Sequence, residues 1–129
     1  MNRSRYCDEV DQWSFIRRCG AVKSAIKGKR GQAFLKELRD SLDAMSHKAL
    51  GAESLSADDE FCAFGVVGAR RGIPMENIDA YDYYAVAYIF GISATLAQEI
   101  MFENNWGARE ETGEMRWERM RAWVDSNIN

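Results

Sequence analysis

Gly28-Lys29-Arg30-Gly31 sets two glycines around two cations, and no other short stretch of the chain has residue types and spacing so suited to holding an anion. It falls where one helical pattern stops and the next starts. Backbone N–H groups in the first turn of a helix lack an intrahelical acceptor and carry partial positive charge, so phosphate can settle there. Lys29 and Arg30 add charge, Lys27 directly precedes the first glycine, and Lys23 lies about one turn before Lys27 on the same side. The plainer alternative is a turn between helices with solvated basic side chains. Catalysis finds no comparable constellation. The single histidine, His47, stands beside Lys48 in a polar stretch, so no second histidine completes a metal pair. No nucleophile sits in an elbow motif, and no spacing singles out two carboxylates for acid–base work. Cys7, Cys19 and Cys62 are odd in number and widely separated, which points to reduced thiols rather than a disulfide framework or a zinc site. The residues therefore favour binding over catalysis, with no cofactor and no metal.

Two short patterns bear on nucleic acid. The Gly28–Gly31 stretch resembles the Gly-x-x-Gly loop of KH domains, which clamps a nucleic-acid backbone between two helices. It departs from that pattern in placing Lys27, not an aliphatic residue, before the first glycine, and residues 8–18 show no alternation fit for the strand a KH domain needs. Ala87, Gly91 and Ala97 have the spacing of a helix-turn-helix. The helix after that turn offers Gln98, Glu99, Glu103, Asn104 and Asn105 with no cation, a set that DNA phosphates would repel.

The elements that must position these residues are helical. The 129 residues and 47% hydrophobic content are those of one globular domain, residues 1–129, long enough to bury a core without staples. An imperfect apolar stripe over residues 9–26 predicts a first helix. Phe34, Leu35, Leu38, Leu42 and Met45, spaced by three and four, predict a second and clearer one. Asp58 or Asp59 is a cap for a third helix over 61–71, although Phe64-Gly65-Val66-Val67 also suits a short strand. Asp79 is the expected cap of a fourth helix, with Tyr84 and Tyr88 on its buried face and Tyr83 pointing elsewhere; Gly91 ends it. Ser93 and Thr112 cap a fifth and a sixth. The expectation is a mainly α bundle of five or six helices, with at most a small β element near 61–68.

Charge is unevenly spread. Residues 1–31 hold eight Lys or Arg against three acids, while 49–105 hold nine acids against Arg70 and Arg71, around a formal net charge of −3. Either the two regions neutralise each other in the fold, or the protein has one basic and one acidic face. An acidic face suits a basic protein surface, including one that ordinarily holds nucleic acid. Tyr83, Trp106, Glu99 and Glu103 are the candidate protein contacts. No apolar run is long enough to cross a membrane, and residues 1–11 lack the apolar stretch of a signal peptide, so the expected location is the cytoplasm.

Arg3-Ser4-Arg5-Tyr6, Arg18 with Gly20-Ala21-Val22, Gly28-Lys29-Arg30-Gly31-Gln32-Ala33-Phe34-Leu35, Cys62-Ala63, Gly65-Val66-Val67-Gly68 and Phe90-Gly91-Ile92 resemble a set of small proteins from phages and prophages of Gram-negative bacteria. The likeness spans most of the chain, including the ending from Arg116 to Trp123. It implies expression in an infected or lysogenic bacterium and transfers no activity. Together with the missing chemistry, it leads to an accessory factor that binds a host or phage protein complex, as an inhibitor of a host defence such as CRISPR does. The alternative is nucleic-acid or phosphate binding through the basic loop. The partner and the oligomeric state are left open.

Overall fold

The computed structural model describes residues 12–52, 61–75, 78–108 and 110–129. Among them are six helices and no strand: α1 (Gln12–Lys27), α2 (Lys29–Asp43), α3 (Ala63–Arg71), α4 (Tyr83–Phe90), α5 (Ala94–Asn105) and α6 (Gly113–Asn127). Residues 61–68, where a small strand was conceivable, lead into and form α3. Its Phe64, Val66 and Val67 are all buried, so the β-branched pair serves a helix enclosed by the core rather than a sheet edge. Asp58 and Asp59 fall outside the described residues. The residue before α3 is Cys62, which gives no side-chain cap.

Local chemistry sets most of the other ends. Ser93 Oγ accepts the Leu96 N–H at 3.1 Å, and Thr112 Oγ1 accepts the Met115 N–H at 3.1 Å. Asp79 is not the cap of α4: it accepts the Tyr81 N–H at 2.9 Å in a turn, and Asp82 caps the helix through the Ala85 N–H. Gly91 ends α4 at φ 72°, a left-handed conformation costly for other residues. Only Gly91, Ile92 and Ser93 separate α4 from α5, and the two helices bend by 106° across them.

Three phenylalanines from three helices mark the middle of the core. Phe34 of α2, Phe64 of α3 and Phe90 of α4 lie with ring centroids 5.2–5.6 Å apart. Leu35, Leu38 and Leu42 of α2 are fully buried, as are Leu96 and Ile100 of α5 and Met120 and Val124 of α6. Helix α5 packs against α1, α3, α4 and α6, which explains why even Glu99 and Asn104 on it are enclosed.

Asn104 shows how a buried polar group can join elements. Its Oδ1 accepts the Ala63 N–H at the start of α3, at 3.1 Å, and its Nδ2 donates to Gly51 O at 3.0 Å. The side chain supplies α3 with the acceptor that Cys62 does not. Asn104→Ala leaves that N–H and that carbonyl buried without their partner. The expected cost is about 2 kcal/mol, read as a lower midpoint in urea unfolding. A midpoint equal to wild type would show that the two groups find other partners.

No described helix is long and apolar enough by itself to cross a membrane.

Candidate functional site

At the basic loop, the structure reduces the linker between α1 and α2 to Gly28 alone, with φ −67° and ψ 163°. Its N–H donates to Ser24 O at 3.0 Å, and its carbonyl accepts the Gln32 N–H at 2.9 Å. Gly28, Lys29, Arg30 and Gly31 line a recess of about 310 Å³ together with Ser24, Ala25 and Ser93. Lys23 and Lys27 are exposed but do not line it. Gly31 is buried against α1: a Cβ there would stand 2.0 Å from Ala25 O. Its role is the close approach of two backbones. The same contact brings the carbonyl end of α1 against the N–H end of α2. The negative pole of one helix dipole thereby offsets the positive pole of the next, which weakens the pull of the backbone on an anion.

Lys23, Lys27, Lys29 and Arg30 are all exposed, and none forms an ion pair with a described residue. The ion pairs among the described residues form elsewhere: Arg39 meets Asp40, Arg71 holds Glu37, Arg121 holds Asp43 and Asp125, and Arg116 and Arg119 converge on Glu111. Among the described residues, then, these four cations are not paired with the acids in the middle of the chain.

The aromatic candidates are rearranged relative to expectation. Tyr84 and Tyr88 were expected inside, yet they are 81% and 90% exposed. The buried stripe of α4 is Val86, Ala87 and Phe90, with Tyr83 packed partly against the core. The reason is composition: all eight residues in Tyr-Tyr-Ala-Val-Ala-Tyr-Ile-Phe are hydrophobic, so a neighbour rather than the pattern selects the inner stripe. Phe34 and Phe64 select Phe90. Tyr84 and Tyr88, one turn apart, become an outward ridge.

At the start of α4 the ridge is preceded by Tyr81, which is half exposed and meets Tyr83 edge-on with centroids 6.4 Å apart. Across from this pair, Trp106 stacks on Phe102 at 5.6 Å, with Trp106 54% exposed. Tyr81, Tyr83, Phe102 and Trp106 line one groove of about 520 Å³, whose lining also includes Arg116. Asp79 and Asp82 are exposed beside the tyrosines. Of the expected contact residues, Trp106 is thus exposed and Tyr83 lines a groove wall. Glu103 is half-buried and its backbone carbonyl accepts from Arg119. Glu99 is corrected outright: at 1% exposure inside α5 its side chain offers no surface to another protein.

The loop that carries Trp106 is held from beneath. Glu111, with 5% of its side chain exposed, accepts from Arg119 Nε at 2.7 Å and Nη2 at 3.0 Å, and Arg116 Nε lies 3.4 Å away. The Arg119 hydrogen bonds hold the Glu111 carboxyl below the usual glutamate range; burial opposes this, and the charges of Arg119 and Arg116 add to the lowering. Arg119 also donates to the Glu103 and Asn104 carbonyls at the end of α5. Gly107 leaves room for the carboxylate, since a Cβ there would stand 2.1 Å from Glu111 Oε1. This cluster was not legible in the sequence, because Glu111 lies outside any helix and its partners follow at no regular helical spacing from it.

No group of three or more metal-ligating side chains occurs among the described residues. No protein family matches the chain, and neither a curated protein nor a solved structure is significantly similar to it.

Proposed function

We propose that the chain is a protein-binding accessory factor without catalytic activity, and that α4 carries its contact surface. The observation behind this is the ridge of Tyr84 and Tyr88, 81% and 90% exposed on a helix whose other face is core. Tyrosine combines a large apolar body with a polar tip and few rotatable bonds, which makes it a common anchor in protein interfaces. Asp79 and Asp82 beside it favour a partner with a basic surface, where lysine or arginine can also stack on the rings. The resemblance to phage and prophage proteins supports a complex of the bacterial host cytoplasm as that partner. A host defence assembly of the kind that anti-CRISPR proteins inhibit presents such a basic, nucleic-acid-holding surface.

The test is quantitative capture from nuclease-treated bacterial lysate on immobilised wild type, on Tyr84→Ser/Tyr88→Ser and on Lys29→Glu/Arg30→Glu. The reading expects a protein species that survives nuclease and stays on the lysine–arginine variant. It also expects that species to fall at least tenfold on the tyrosine variant, a loss of about 1.4 kcal/mol. Both tyrosines being exposed, that variant should melt as wild type does. Equal capture on the tyrosine variant would defeat the proposal. Recovery that depends on nucleic acid and on Lys29 and Arg30 would move the function to the α1–α2 recess.

A further inference from the structure

A second concavity, sharing no residue with the tyrosine surface, opens between the end of α2, the turn over residues 44–49 and α3. It encloses about 350 Å³. Met45, Phe61, Val66 and Ala69 give it apolar walls, and Arg70 and His47 bring polar groups to it. The arginine is the informative member. Its hydrogen bond to a described residue goes to a neutral acceptor, Ser41 Oγ, at 3.3 Å. The carboxylate whose field it shares, Glu37, is already gripped by Arg71, with Arg71 Nε 2.7 Å from Glu37 Oε2. A guanidinium presents five N–H donors in a planar fork matched to a carboxylate, so most of its donor capacity at this pocket is not taken up by described protein groups.

From this combination we propose that the pocket binds a small amphipathic monocarboxylate, with the carboxylate on Arg70 and the apolar body against Met45, Phe61, Val66 and Ala69. Size, wall chemistry and charge each restrict the ligand. The volume lies at the small end of ligand pockets and fits an acid of about six to ten carbons, while one arginine among apolar walls does not match the several charges of a nucleoside di- or triphosphate. The apolar walls give no return to a fully polar anion, and the arginine gives none to a neutral hydrocarbon. His47 and Ser46 at the same pocket supply further hydrogen-bond donors for the second carboxylate oxygen.

Octanoate is a suitable probe, with 1-octanol lacking its charge and inorganic phosphate lacking its body. Amide NMR of the labelled full chain should show octanoate shifting residues 44–49, 69 and 70, with saturation and a Kd of about 1 mM or tighter, reasonable for a ligand of about ten non-hydrogen atoms. Octanol and phosphate should each bind at least tenfold more weakly. Arg70→Met keeps the stem and removes the charge, and should weaken octanoate at least tenfold. Ala44→Trp, at an exposed position on the pocket, should block it while leaving the rest of the spectrum in place. The proposal is overturned by failure to saturate at about 10 mM, by shifts clustered elsewhere, by equal affinity for octanol, or by unchanged affinity in either variant.

Discussion

Glu111→Ala is expected to lower the stability of the chain by about 3 kcal/mol, the lower end for removal of one partner from a buried charge cluster. The loss stays at the lower end because Arg119 retains 28% exposure and Arg116 14%, so water recovers part of what the carboxylate gave them. Against a total stability of about 5–15 kcal/mol that is a large share, and for a domain of this size it lowers the melting temperature by about 10 °C. The effect carries a pH signature. The Arg119 hydrogen bonds hold the Glu111 carboxyl below its ordinary value, so the folded state binds its proton less readily than the unfolded state does. The contribution is complete above the ordinary glutamate range and is lost as pH falls through the lowered folded value. Wild type and Glu111→Ala should therefore differ most near neutrality, begin to converge as pH falls through the ordinary glutamate range, and meet only below the lowered folded value. Thermal melts across that range decide the matter. A constant difference at every pH would place the cost in lost packing rather than in the charge.

Gly31→Ala should be as damaging, although it adds only a methyl group. The new Cβ would stand 2.0 Å from Ala25 O and 3.0 Å from Ile26 O. Both are backbone atoms of α1, so no side chain can rotate aside and the helix itself has to move. Overpacking of this kind costs about 1–3 kcal/mol and occasionally more, and the upper figure applies where rigid backbone resists. The displacement would also strain the Gln32 side chain, whose Nε2 donates to Ile26 O at 2.8 Å and to Asn127 O at 2.9 Å. Gly28→Ala is the control. Its Cβ would approach Ser24 O at 3.3 Å and its φ is −67°, so a far smaller change in melting temperature is expected. Equal effects at the two glycines would mean that both are kept for chain flexibility and neither for helix contact.

The contrast between these glycines shows what the sequence could disclose. Gly28 and Gly31 announce an interruption between two helices, and the interruption is there. The spacing cannot reveal that one is a linker and the other a contact surface, because that depends on where α1 lies relative to α2. Ser93, Thr112 and Gly91 were legible for a different reason: a cap is a contact within three or four residues, so local sequence contains all of it. Local sequence does not separate Asp79 from Asp82 as the cap of α4, because both are acids near the same helix start and both accept a backbone N–H close by. Helix α4 is apolar almost all round, so Tyr84 and Tyr88 satisfied the pattern of a core stripe as well as Val86 and Phe90 do. Helix α5 offered polar residues at Glu99 and Asn104 that read as surface, yet four other helices enclose it. The pocket beside Arg70 draws on three segments of the chain and left no trace in any one of them.

The pairing of α2 with α6 has a consequence in time. Trp117 Nε1 donates to Leu42 O across 75 residues of sequence, and Gln32 reaches Asn127 across 95. At a translation rate of about 5–20 residues per second, α2 is synthesised roughly 4–19 s before the surface that covers it. Through that interval Leu35, Leu38 and Leu42 have only the helices synthesised nearer to them for shelter. The nascent chain should therefore engage holding chaperones, and its yield in the cell should respond to their abundance more than the stability of the finished fold would suggest.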